Sequence, residues 1–157
     1  VIQRKTARLF EAAARLGAVL GSTAPATEDA LAAYGMHLGT AFQLVDDVLD
    51  YSGTADTIGK NIGDDLAEGK MTLPLIRALA VGSAEQAAVI RHAIEGGGRT
   101  DFAPVVDALE STGSLAYARE RAIAEVAHAA ACLSAVPDSP YRKSLLELTA
   151  FAAQRTY

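Results

Sequence analysis

The chain contains one cysteine, Cys132, and no tryptophan, and aromatic residues make up only 6% of it. A lone cysteine excludes an internal disulfide, so a reducing compartment, the cytoplasm, is the expected location. Within Ala129-Ala130-Ala131-Cys132-Leu133 it reads as a small buried hydrophobe rather than a nucleophile. Excess positive charge is lacking too: the net charge is -5, which argues against nucleic-acid binding by bulk charge. No uninterrupted run of about 18 apolar residues occurs, so no transmembrane segment is expected. Strand patterns, solenoid repeats and low-complexity tracts are also missing. What remains is 157 residues, half of them apolar and many of them alanine. That is enough for one domain core and suits closely packed helices, so the expected fold class is all-α.

The helical pattern runs through the whole chain. Residues 3–20 predict a helix with Leu9, Ala12, Ala13, Leu16 and Leu20 on one stripe, ending at Gly21. A long helix over 27–52 follows, with Thr27 as its cap. A third over 72–81 opens at Thr72, with Pro74 tolerated in its first turn. Ser83-Ala84-Glu85-Gln86 reads as a capping box for a helix to about residue 95, which Gly96-Gly97-Gly98 stops. Helical segments near 101–111 and from Ser114 to Val136 come next, and Ser139-Pro140 starts the last, ending near Arg155.

Against that background the run Phe42-Gln43-Leu44-Val45-Asp46-Asp47-Val48-Leu49-Asp50 stands out. Measured from Asp46, Asp50 lies at about 40° and Asp47 at about 100° on the helical wheel, with Gln43 between them. Leu38, Phe42, Val45, Val48 and Leu49 take the opposite, core-facing arc. Carboxylates one turn apart repel by roughly 0.2–0.5 kcal/mol. The end of a helix disfavours each anion by roughly another 0.3–1 kcal/mol. A solvated acidic face is the plain reading of a charge run on an ordinary surface helix. Three together match what clustered carboxylate oxygens do for a hard divalent cation such as Mg²⁺.

The segment Ser52–Met71 is polar and glycine-rich, and a connection this long is usually a functional loop or a solvated linker. It brings Lys60 and Lys70, each beside a glycine that lets backbone approach a ligand, and two further carboxylates, Asp64 and Asp65. Lysines suit phosphate oxygens. Carboxylates, lysines and a long loop together fit a diphosphate held partly through metal. Gln43 shares the aspartate face and can donate to such a ligand, although a mid-helix Gln is often simply solvated. His37, His92 and His128 are dispersed without metal spacing. Arg119, Glu120, Arg121 and Glu125 read as a solvated, salt-laced helix face, and Tyr51 as a packing residue.

These residues resemble a known family. Phe42 to Asp50 is similar to the second aspartate-rich motif, DDxxD, of the trans-isoprenyl (polyprenyl) diphosphate synthases. Gly59-Lys60-Asn61-Ile62-Gly63-Asp64-Asp65-Leu66 and Glu68-Gly69-Lys70-Met71-Thr72-Leu73-Pro74-Leu75 resemble the segments after it. Lys5-Thr6-Ala7-Arg8-Leu9-Phe10-Glu11-Ala12 resembles the family's Lys-Thr helix. The likeness extends to Phe151-Ala152-Ala153-Gln154-Arg155, and is nearest to the long-chain, octaprenyl branch that makes quinone side chains. It implies a helical bundle of the isoprenoid synthase fold. The implied activity is consecutive head-to-tail condensation of isopentenyl diphosphate with an allylic diphosphate, in a homodimer. By the same resemblance Asp46, Asp47 and Asp50 hold Mg²⁺. Lys5, Lys60 and Lys70 contact the diphosphate as catalytic groups, and Thr6 and Gln43 contribute to substrate binding.

Family members also carry a first aspartate-rich motif upstream, and no second DDxxD occurs here. Residues 1–157 are therefore expected to be the C-terminal half of one polyprenyl synthase domain, inactive alone. Two alternatives stay open: a catalytically silent homologous subunit of a heteromeric synthase, and a terpene cyclase on the same scaffold.

Overall fold

The computed structural model describes residues 6–52, 63–96 and 102–154. Among them the chain is helical and holds no strand. The helices are α1 (Arg8–Leu20), α2 (Pro25–Ser52), α3 (Asp64–Ala67), α4 (Leu73–Val81), α5 (Ala84–Gly96), α6 (Phe102–Ser111), α7 (Ser114–Cys132) and α8 (Pro140–Gln154), with a 3-10 turn at Leu133–Ala135. The boundaries follow local chemistry. The Ser83 N–H donates to Gln86 Oε1 at 2.7 Å and the Gln86 N–H to Ser83 Oγ at 3.3 Å, a reciprocal capping box. Ser139 Oγ accepts the Arg142 N–H at the start of α8. Thr27 is not the cap of α2. That helix begins at Pro25, whose fixed φ suits a first helical position, and the Thr27 N–H already donates to the Ala24 carbonyl.

The described residues form two compact units, one from 6–45 together with 121–154, the other from within Asp46–Glu120. In the first, Tyr34, Leu38, Ala129, Leu133 and Ala152 form a core with Phe10, Ala14, Leu31, Cys132, Val136 and Leu145 packed against it. The Tyr34 hydroxyl donates to the Leu145 carbonyl at 3.0 Å. Helix α1 seats on a pair of glycines one turn apart in α2. A Cβ at Gly35 would lie 2.4 Å from the Phe10 carbonyl oxygen, and one at Gly39 would lie 2.7 Å from Ala7 Cα. This close approach rotates α1 away from the expected orientation. Its inner side is Ala7, Phe10, Ala14 and Ala18, while Leu9, Leu16 and Leu20 are 72%, 60% and 85% exposed. The leucine stripe is real, but it faces outward.

In the second unit, Tyr51, Leu66, Leu75, Ala78, Ile90, Ala93, Val105, Ala108, Leu109 and Leu115 share one core. The connection expected over Ser52–Met71 contains a helical turn, α3, that periodicity had not revealed. Four residues carry too short a pattern to register, yet Leu66 anchors the turn in the core with no exposed surface.

Candidate functional site

The aspartates sit where the sequence put them, at the C-terminal end of α2, but not all on its open side. Asp46 and Asp50 are half-buried, whereas Asp47 is only 4% exposed. The buried stripe of α2 runs through Tyr34, Leu38, Ala41, Leu44, Val48 and Tyr51. It is rotated toward Asp47, so Phe42, Val45 and Leu49 are only partly covered. Tyr51 explains the rotation at this end: its ring stacks on Phe102 with centroids 6.2 Å apart, and its oxygen accepts from the Thr72 hydroxyl at 3.4 Å. Burial pushes the Tyr51 phenol far above its usual range, in keeping with its place in the core.

Helix α3 folds back onto this end of α2. The Gly63 N–H donates to the Asp50 carbonyl at 3.1 Å, and the Asp65 N–H to Asp50 Oδ2 at 3.1 Å. Gly63 has φ +79° and faces the Phe102 ring, where a Cβ would lie 2.6 Å from Cδ2. Only glycine adopts that turn in that space without strain. Asp65 in turn binds Lys70, Oδ1 to Nζ at 2.7 Å, and Glu68 Oε2 lies 2.8 Å from the same nitrogen. The result is a continuous polar chain, Asp50–Asp65–Lys70, within the second unit.

Its electrostatics are those of a carboxylate site short of positive charge. The Asp50 carboxyl is pushed up to about 6, first by burial, then by the charge of Asp65 and, more weakly, of Asp64, with backbone N–H donors opposing the rise. Lys70 is held well above the usual lysine range by its hydrogen bonds to Asp65 and Glu68. A divalent cation would relieve the repulsion at Asp50, and the oxygen-only donor set fits a hard ion.

Among the other candidates, the Thr6 hydroxyl donates to Gln43 Oε1 at 2.8 Å in the first unit, so these two are brought together. Lys5 and Lys60 lie outside the described residues. Asp65 emerges as the structural hub of the polar chain. Its carboxylate was visible in sequence, but not its position against Asp50. The histidines require a correction: His37 on α2 and His128 on α7 are not dispersed, their ring centroids lying 5.2 Å apart. Glu125 is not a solvated residue either; its carboxylate binds His37 Nδ1 at 2.7 Å and is 19% exposed. Arg119, Glu120 and Arg121 are exposed, as expected.

Comparison with known proteins bears on the whole chain. Residues 1–111 match the model of the polyprenyl synthetase family. The octaprenyl diphosphate synthase of Escherichia coli (strain K12) is 51% identical over 156 residues, covering 99% of this chain and 48% of that protein. The octaprenyl diphosphate synthase of Haemophilus influenzae is 49% identical over 158 residues, covering 100% and 48%. A polyprenyl synthase from Caulobacter crescentus CB15, solved in complex with calcium and isoprenyl diphosphate, superposes with a TM-score of 0.90 at 41% identity, over 98% of this chain and 48% of that one. The all-α architecture is that of the isoprenoid synthases. The chain spans about half the length of the curated relatives it matches.

Proposed function

Because the chain belongs to the polyprenyl synthetase family, we propose that the whole protein is a trans-polyprenyl diphosphate synthase of the octaprenyl type. It would lengthen an allylic diphosphate by successive head-to-tail additions of isopentenyl diphosphate and supply quinone side chains. Residues 1–157 would be the C-terminal half of its single domain, and the whole would act in the cytoplasm as a homodimer. The observation that carries this reading is the carboxylate–lysine chain at the end of α2. Asp50 is raised toward neutrality by burial and then by the charge of Asp65, and Lys70 is held on Asp65 and Glu68. Such a site is built to take a cation and an anion together.

In this reading Asp46, Asp47 and Asp50 hold Mg²⁺. An ion held there would supply positive charge to a departing diphosphate. Lys70 leaves Asp65 and Glu68 for the diphosphate oxygens, adding a second positive charge where negative charge develops. Thr6 and Gln43, already bonded to each other, would contribute to substrate binding, with Lys5 and Lys60 as further cations. Apolar helix surface keeps water from the allylic cation. Neither the silent-subunit nor the cyclase alternative is favoured, since the relatives are synthases.

The test is isopentenyl incorporation by the full-length protein at saturating Mg²⁺. Asp46→Asn and Asp50→Asn should each abolish most elongation while the protein stays folded. Normal elongation by Asp46→Asn would make the cluster structural. An inactive wild type that raises the activity of a partner chain would restore the silent-subunit reading.

A further inference from the structure

Within the first unit, α2 and α7 bring three metal-ligating side chains together away from the aspartate motif. His37 comes from α2; Glu125 and His128 come from α7, three residues apart and so on one helix face. One ligand atom from each lies within 4.8 Å of the other two. Glu125 Oε2 already touches His37 Nδ1 at 2.7 Å, the two rings are tilted by 57° with centroids 5.2 Å apart, and His128 is exposed.

We propose that His37, Glu125 and His128 form a binding site for a borderline transition-metal ion, zinc first, that clamps α2 to α7. Two imidazoles and one carboxylate are a known zinc donor set, with water completing four-coordination. Ligands at about 2.0–2.2 Å in a tetrahedron stand roughly 3.3 Å apart. The ligand atoms, within 4.8 Å of one another, are therefore within a side-chain adjustment of that spacing. Exposed His128 has room to supply most of that adjustment. Donor chemistry separates this site from the one at Asp46, Asp47 and Asp50: imidazole nitrogen suits Zn²⁺, Cu²⁺ or Ni²⁺, while all-oxygen sites suit Mg²⁺ and Ca²⁺. The clamp is independent of the proposed synthase activity, because it rests on neither substrate nor the aspartate cluster. Sequence alone offered only Glu125 and His128 at helical spacing; His37, 88 residues from Glu125, joins them through tertiary packing.

The experiment uses zinc ion alone, titrated against a chromophoric chelator into metal-free protein with Mg²⁺ in excess. Four proteins are compared: wild type, His128→Ala, Glu125→Gln, and the double variant Asp46→Asn/Asp50→Asn. The expected result is one zinc bound by wild type and by the aspartate variant with equal affinity, and binding weakened at least about tenfold in the other two, a loss in the range known for metal-site substitutions. Cobalt substituted for zinc should give the intense visible bands of a four-coordinate site in wild type and lose them in His128→Ala. Zinc should also raise the melting temperature of wild type and not of His128→Ala. The proposal is overturned if wild type takes up no zinc under these conditions. It is equally overturned if His128→Ala binds as wild type does, or if binding disappears with the aspartates instead.

Discussion

Replacing Asp50 by Asn should make the metal-free protein more stable, and the size of the gain should depend on pH. Asp50 carries a carboxyl displaced from 3.8 to about 6 by burial and by Asp65. A displacement of that size corresponds to at most about 3 kcal/mol of strain on the ionised form. Asp50 is only half-buried, so solvent screening reduces this to about 1 kcal/mol. Asn keeps a carbonyl oxygen for the Asp65 N–H, now 3.1 Å from Asp50 Oδ2, and removes the charge from the helix end, where an anion is disfavoured. The sign follows from proton linkage. Between 3.8 and about 6 the folded state holds a proton on Asp50 that the unfolded state has lost, so stability falls as pH rises through that window. In EDTA at pH 7.5, Asp50→Asn should therefore melt higher than wild type by about 2–4 °C. The difference should shrink at pH 5 and be gone near pH 4. Added Mg²⁺ should raise the melting temperature of wild type far more than that of the variant. A variant that melts lower in EDTA at pH 7.5, or a difference equal at pH 5 and pH 7.5, would refute the electrostatic account of this site.

Lys70→Gln in the full-length protein should cut elongation by at least about tenfold, equivalent to 1.4 kcal/mol of transition-state stabilisation. Its melting temperature should move little, because partly exposed ion pairs like those to Asp65 and Glu68 are worth about 0–1 kcal/mol; normal elongation would remove Lys70 from the reaction. Gly63→Ala should destabilise the protein by about 1–3 kcal/mol, since it forces a side chain into a left-handed turn against Phe102, and denaturant unfolding reads this directly. The outward stripe of α1 should bind a hydrophobic dye. Changing Leu9, Leu16 and Leu20 together to Gln should suppress that fluorescence without lowering the melting temperature, and unchanged fluorescence would mean the dye binds elsewhere.

Local chemistry was legible because it acts over a few residues. Ser83 and Gln86 specify a capping box whatever lies around them, and Asp46, Asp47 and Asp50 are neighbours on any helix that contains them. The order of the motifs from Lys5 to Lys70 likewise identified the family, since it is a property of the chain and not of its packing. Orientation was harder to read. The leucines of α1 form the obvious hydrophobic stripe, yet the helix presents alanines to α2, because Gly35 and Gly39 permit a backbone approach that larger side chains would prevent.

Sequence by itself therefore determined the helical class and the family, and it singled out the carboxylates and lysines proposed to hold cation and diphosphate. Tertiary structure decided which side of α1 and α2 is covered, that Asp47 is buried, and that Asp65, paired with Lys70, folds back onto Asp50. It also decided that His37 meets Glu125 and His128. The physical reason is range. Capping, helical periodicity and charge repulsion are set by residues within about one turn of each other. Burial and long-range contact depend on which surfaces meet, and that is settled by packing between segments far apart in the chain.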